Sequence, residues 1–131
     1  MDGTNKRKVL VVDDEPAVRK LVRKMLGKDY NVLEAQNGVE AVDMACSHKP
    51  DIILMDMMMP VMDGLTACHA IKTNQTTEEI PVIMLTAINY ELNKKFSEDV
   101  LGAKGYVTKP FTYEALLTEI RRLQPAALRI I

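Results

Sequence analysis

The sequence predicts an α/β fold, with one five-stranded parallel sheet covered by helices on both faces. Two observations carry this. The runs KVLVV (8–12), IILM (52–55) and VIML (82–85) are short, unbroken and apolar, and most are rich in β-branched residues. Such runs mark strands buried on both faces of a parallel sheet. Between them lie helical patterns, and strand–helix alternation repeated five times specifies parallel strands joined by right-handed crossovers.

The elements follow in order. After the Lys8–Val12 strand, Val18, Leu21, Val22, Met25 and Leu26 mark one face of a helix that opens near Pro16 and ends at Gly27. A weaker strand, 31–35, precedes a helix predicted over 38–47. The third strand leads into a loop holding Pro60 and Gly64, with Asp63 placed to cap the next helix, which carries Leu65, Cys68 and Ile71. The fourth strand is followed by 91–101, whose only apolar seam is Leu92, Phe96 and Val100, so this helix is expected to be the least securely buried. A short fifth strand, 105–107, and a final helix bearing Tyr113, Leu116, Leu117, Ile120 and Leu123 complete the pattern, and Pro125 is expected to end it.

With 131 residues, 47% hydrophobic and 27% charged, the chain has the composition of one globular domain. Residues 1–131 are read as one domain with its core over about 6–124; PAALRII (125–131) is a linker stub, a peptide tail or a cut end. Lys plus Arg (17) nearly balances Asp plus Glu (18), which gives no electrostatic case for direct contact with nucleic acid or a membrane surface. No apolar run has the length of a membrane span, and MDGTNKRK lacks the apolar segment of a secretory signal, so a cytoplasmic location is expected. Cys46 and Cys68 lack metal-ligand spacing and read as thiols on apolar helix faces. His48 and His69 sit in polar surroundings and read as surface residues.

In a parallel sheet all strands end on one edge, and ligands bind in the crevice beyond those ends. The residues placed there are Asp13 and Asp14 after the first strand, Asp56 after the third, Thr86 after the fourth and Lys109 after the fifth. Asp56 is the odd member, because ILMDMMMPVMDG (53–64) surrounds it with five of the nine methionines. A carboxylate in apolar surroundings is costly unless compensated. Three carboxylates in one crevice would also hold protons unless a cation joined them. Magnesium suits, because it uses one or two carboxylates with waters and phosphate oxygens. The methionines are expected to wall the pocket.

Together VVDDE (11–15), LMDMMMPVMDG (54–64), MLTA (84–87) and GYVTKPF (105–111) closely resemble the receiver domain of two-component response regulators, in that family's order and spacing. The resemblance implies a flavodoxin-like (βα)5 fold with strand order 2-1-3-4-5. It implies that Asp56 takes a phosphoryl group from a phosphohistidine on a sensor histidine kinase or a histidine phosphotransfer protein. By the same likeness the ligands of Mg2+ are Asp13 (partly through water), Asp14, Asp56 and the backbone carbonyl of Met58. Lys109 would contact a phosphoryl oxygen, the Thr86 hydroxyl would bond the attached group, and Tyr106 resembles the aromatic that moves with it. The Lys109–Pro110 peptide is one the family commonly makes cis. Met58 and Ile88, two residues after Asp56 and Thr86, are apolar and are expected to exclude the water that would hydrolyse the phosphate.

The chemistry of phosphoryl transfer needs an in-line nucleophile, a metal and a cation on the equatorial oxygens. Asp56, magnesium and Lys109 supply them. A haloacid-dehalogenase-like phosphatase would need a second acid two residues after its nucleophile, where this chain has Met58. The chain is therefore read as a signalling phospho-acceptor that promotes its own phosphorylation and dephosphorylation, and otherwise not as an enzyme. The alternative is a degenerate receiver used as a scaffold, which would have lost at least one of Asp14, Asp56, Thr86 or Lys109; all are present. Output is expected on the face made by helix 91–100, strand 105–107 and helix 113–124. That face would meet a downstream protein, a C-terminal effector domain or a second copy of the chain.

Overall fold

The computed structural model describes residues 6–87 and 102–123. Within them the chain forms β1 (Arg7–Val12), α1 (Pro16–Leu26), β2 (Tyr30–Ala35), α2 (Gly38–His48), β3 (Ile52–Asp56), α3 (Gly64–Lys72), β4 (Val82–Thr86), β5 (Gly105–Thr108) and α4 (Tyr113–Leu123). The expected helix 91–101, residue Ile88, Pro125 and the 125–131 tail lie outside the described residues.

All five strands form one sheet in the order β2-β1-β3-β4-β5, and every neighbouring pair is parallel. Successive strand residues point to opposite faces, so each apolar run supplies two cores. Leu10, Val12, Ile53, Met55, Val82 and Met84 pack with Ala41, Ala45, Ala67, Cys68 and Ile71 of α2 and α3. Val9, Val11, Ile52, Leu54, Ile83 and Leu85 pack with Val22 and Leu26 of α1 and with Leu116 and Ile120 of α4. Neither face of the central strands meets water, which is why their sequences do not alternate with polar residues.

The helices start where side-chain chemistry can satisfy their free N–H groups. Asn37 accepts from the Glu40 N–H at 2.9 Å, while the Glu40 carboxylate reaches back past the cap to accept from the Gln36 N–H at 3.0 Å. Asp63 caps α3 by accepting from the Thr66 N–H at 2.7 Å, as the sequence predicts. Helix α1 has no side-chain cap and begins with Pro16, whose missing N–H needs none.

Gly64 fixes the path of the loop after β3. A Cβ there would collide with the Asp56 carbonyl oxygen. Only glycine lets the start of α3 pass so close to the end of β3. The loop between them contains a tight turn in which the Met62 N–H bonds the Pro60 carbonyl at 2.8 Å around Val61, whose φ is 70°. That is a γ-turn with a β-branched residue in a left-handed conformation, an arrangement that carries strain.

Candidate functional site

The carboxyl ends of β1, β3, β4 and β5 meet at one edge, and ladder bonds carry the chain just past each strand. The Asp13 N–H bonds the Ala35 carbonyl at 3.1 Å, the Met57 N–H bonds Leu85 at 3.1 Å, and the Lys109 N–H bonds Thr86 at 2.8 Å. Through these bonds the sheet itself sets the spacing of the side chains above it. Asp13, Asp14 and Asp56 each offer a carboxylate oxygen, and these atoms lie within 4.8 Å of one another.

One cation answers them among the described side chains. Lys109 Nζ donates to Asp13 Oδ2 at 2.8 Å and to Asp56 Oδ1 at 3.2 Å. Asp13 is fully buried and Asp56 is 7% exposed, whereas Asp14 is exposed. Burial and the neighbouring Asp13 charge together push the Asp56 carboxyl above its ordinary value, although Lys109 and the Met58 N–H pull the other way. Burial disfavours the charged ammonium of Lys109, but the bond to Asp13 and the charges of Asp56 and Asp13 outweigh it and hold the group above its ordinary value. One ammonium therefore leaves the cluster short of positive charge.

A crevice of about 320 Å³ opens over the cluster, lined by Asp14, Glu15, Asp56, Met57, Met58, Thr86, Ala87 and Lys109. Three clustered carboxylates with a negative surplus are a hard-oxygen donor set that fits Mg2+. Lys109 and Thr86 line the same crevice, and that combination can bind a phosphoryl group as well as a metal.

The structure thus brings Asp13, Asp14, Asp56, Thr86 and Lys109 to one crevice. Tyr106 lies elsewhere, half-buried on β5 and packed against the α2/α3 core, with its N–H donating to Glu119 at 3.3 Å. The methionines divide differently from expectation. Met57 and Met58, the two residues after the end of β3, line the crevice, but Met55 and Met57 are buried in the core and Met59 and Met62 pack against it. Met58 is 69% exposed at the crevice lip. The Lys109–Pro110 peptide is cis. Cys68 is buried, which pushes its thiol up to about 11, so it is inert as a thiolate.

Sequence reading missed a second ionic group beside the site. Arg19 and Arg23 of α1 both bind Glu34 of β2, at 2.9 Å each, and Arg19 also donates to the Asp13 carbonyl at 2.6 Å. The available signal was a pair of arginines one helical turn apart followed by an acid in a strand, which without the fold reads as surface charge.

A family model described as the response regulator receiver domain matches residues 9–121. The chain belongs to that family. Receiver domains are signalling domains, and similar proteins agree with the assignment. The DNA-binding dual master transcriptional regulator RpaA of Synechocystis is 37% identical over 119 residues, which cover 88% of this chain and 48% of RpaA. The chain thus spans about half the length of the curated relatives it matches. Chemotaxis protein CheY4 of Vibrio cholerae superposes with a TM-score of 0.85 at 33% identity, covering 91% of this chain and 99% of CheY4. The receiver domain of sensor histidine kinase PA1611 from Pseudomonas aeruginosa superposes with a TM-score of 0.78 at 32% identity, covering 91% of this chain and 95% of that one; it carries a magnesium ion in its active-site cleft. Among the described residues of this receiver, no helix is long and apolar enough to cross a membrane.

Proposed function

We propose that this receiver domain accepts a phosphoryl group on Asp56 from the phosphohistidine of a sensor kinase or a histidine phosphotransfer protein. The observation that supports this best is the placement of Asp56: it ends the central strand β3, contacts Lys109 at 3.2 Å and shares its crevice with two further acids. In the transfer, a carboxylate oxygen of Asp56 forms the O–P bond as the N–P bond breaks, and the donor imidazole leaves with the electron pair. Lys109 orients the carboxylate and neutralises charge on an equatorial oxygen. Thr86 stands at the end of β4, placed to donate to the transferred group. Asp13, Asp14, Asp56 and the Met58 carbonyl would hold Mg2+, which supplies charge neutralisation on the phosphoryl oxygens when bound.

The signal passes from Thr86 to Tyr106 on β5 and leaves through contact with a protein partner or an attached effector; RpaA, named as DNA-binding, is about twice the matched length. Met58 at the crevice lip excludes the attacking water and slows self-hydrolysis. The cytoplasm, where receiver and phosphodonor meet, is the compartment this reading requires.

The test is incubation with acetyl phosphate and Mg2+, followed by intact mass measurement. One labile phosphate is expected on the parent, and none on Asp56→Asn. Stoichiometric labelling of Asp56→Asn would overturn the assignment.

A further inference from the structure

The acidic corner of the site needs a fixed shape, and its fixing reaches beyond the acids themselves. Asp13 and Asp14 are adjacent in sequence, so their carboxylates can face one crevice only if the peptide plane between them is held in one orientation. A peptide is planar, with the Asp13 carbonyl and the Asp14 nitrogen and Cα in one plane. Fixing the direction of that carbonyl therefore fixes where Asp14 departs. The only side-chain donor seen on this carbonyl, among the described residues, is Arg19 Nη1 at 2.6 Å.

Arg19 is itself immobilised. Its Nε donates to Glu34 Oε1 at 2.9 Å, and its side chain is only 15% exposed. Burial works against the charge on Glu34, yet the bonds from Arg23 and Arg19 hold its carboxyl below the usual range, so Glu34 stays an anion and a firm anchor. The guanidinium suits this task because its planar fork can bond two acceptors on different elements at once. Here those elements are β2 and the end of β1. The other side of the corner is pinned through the Asp13 carboxylate, which accepts from the Glu15 N–H at 2.9 Å and from Lys109 at 2.8 Å.

We propose that Arg19 is a positioning residue for the cation site: held by Glu34, it clamps the Asp13–Asp14 peptide so that both carboxylates are presented together. The inference rests on the Mg2+ reading given above and names a residue that supports it from outside the crevice. Two opposed effects decide its sign. A guanidinium near a cation site repels the cation, so a purely Coulombic role predicts tighter Mg2+ binding when Arg19 is removed. Glu34 neutralises much of that charge, which leaves orientation as the larger effect. Groups that orient metal ligands from behind typically change affinity by roughly 10–100-fold when lost.

Arg23 provides the control. It bonds the other carboxylate oxygen of Glu34, Oε2, and the Val32 carbonyl at 3.0 Å, and among the described residues no bond joins it to Asp13. The experiment is calorimetric titration of the whole chain with Mg2+ alone, with no phosphodonor, and circular dichroism in chelator to confirm folding. Arg19→Met should raise the Mg2+ dissociation constant about tenfold, and Arg23→Met should leave it within about twofold of the parent, by the small worth of an exposed pair. Arg19→Lys, which keeps charge but loses the fork, should weaken binding by an intermediate factor and serves if Arg19→Met does not fold. Unchanged or tighter binding in the Arg19 variants, or equal weakening by Arg19→Met and Arg23→Met, would overturn the clamp. If the parent itself bound no Mg2+, the metal reading would fail instead, so the two failures are distinguishable.

Discussion

Two ionic clusters lie side by side in this molecule and are opposite in sign. At the crevice one lysine faces two acids, Asp13 and Asp56, with Asp14 a third. Beside it two arginines face one acid, Glu34. The second cluster has a positive surplus, but Arg23 is 52% exposed and water solvates what Glu34 does not. The first has a negative surplus even without the exposed Asp14, and the side chains of Asp13, Asp56 and Lys109 are only 0% to 18% exposed, so water cannot do the same. A buried imbalance demands a ligand, and an exposed one does not. This difference, and not the number of charges, is what marks the crevice as the candidate functional site.

The comparison breaks most visibly if Lys109 is removed. Lys109→Met leaves two buried carboxylates without their cation, which should cost about 3 kcal/mol of stability. On the proposed metal reading Mg2+ binds the folded state and not the unfolded one, so millimolar Mg2+ should restore part of that loss in urea titrations. A loss under about 1 kcal/mol would mean that the cluster is better solvated than its burial implies.

Asp56→Asn should act in the opposite direction, raising stability in chelator at neutral pH by less than Lys109→Met lowers it. The sign follows from the raised carboxyl of Asp56. In the unfolded chain Asp56 loses its proton at the ordinary carboxylate value, and in the folded protein only at a higher pH. Ionised Asp56 thus reduces stability at neutral pH, and the reduction is relieved as pH falls through the raised folded value. The stabilisation by Asp56→Asn should shrink on acidification, which thermal melts across that range would show. A pH-independent gain would point to packing instead of charge.

The smallest effect belongs to the exposed cluster. Arg23→Ala removes bonds to Glu34 and to the Val32 carbonyl. As a half-exposed pair it should cost no more than about 0.5 kcal/mol and should lose most of that sensitivity in high salt. A salt-insensitive loss of several times that size would erase the contrast between the two clusters.

What was legible in the sequence follows the same division. The strands were readable because a run buried on both faces has no polar interruption, and Asp13, Asp56, Thr86 and Lys109 were readable because each sits where such a run stops. Strand ends in a parallel sheet share one edge, so sequence position alone placed those residues together. The Arg19–Glu34–Arg23 group was not readable, since Glu34 looks like any acid on an edge strand until α1 is folded across β2. Nor was the left-handed Val61, because its turn is imposed by the close passage of Gly64 over Asp56 and not by a glycine or asparagine at the turn itself. The methionines were half read: their apolar character was visible, but which of them face the core depends on where β3 ends.

The most direct test of the account is to locate the phosphoryl group. After reaction with acetyl phosphate, borohydride reduces an aspartyl phosphate to homoserine, and peptide mass spectrometry identifies the position. The account predicts homoserine at position 56 alone when Mg2+ is present and almost none in chelator. Homoserine at Asp51 or Asp63, or equal yields with and without Mg2+, would contradict it.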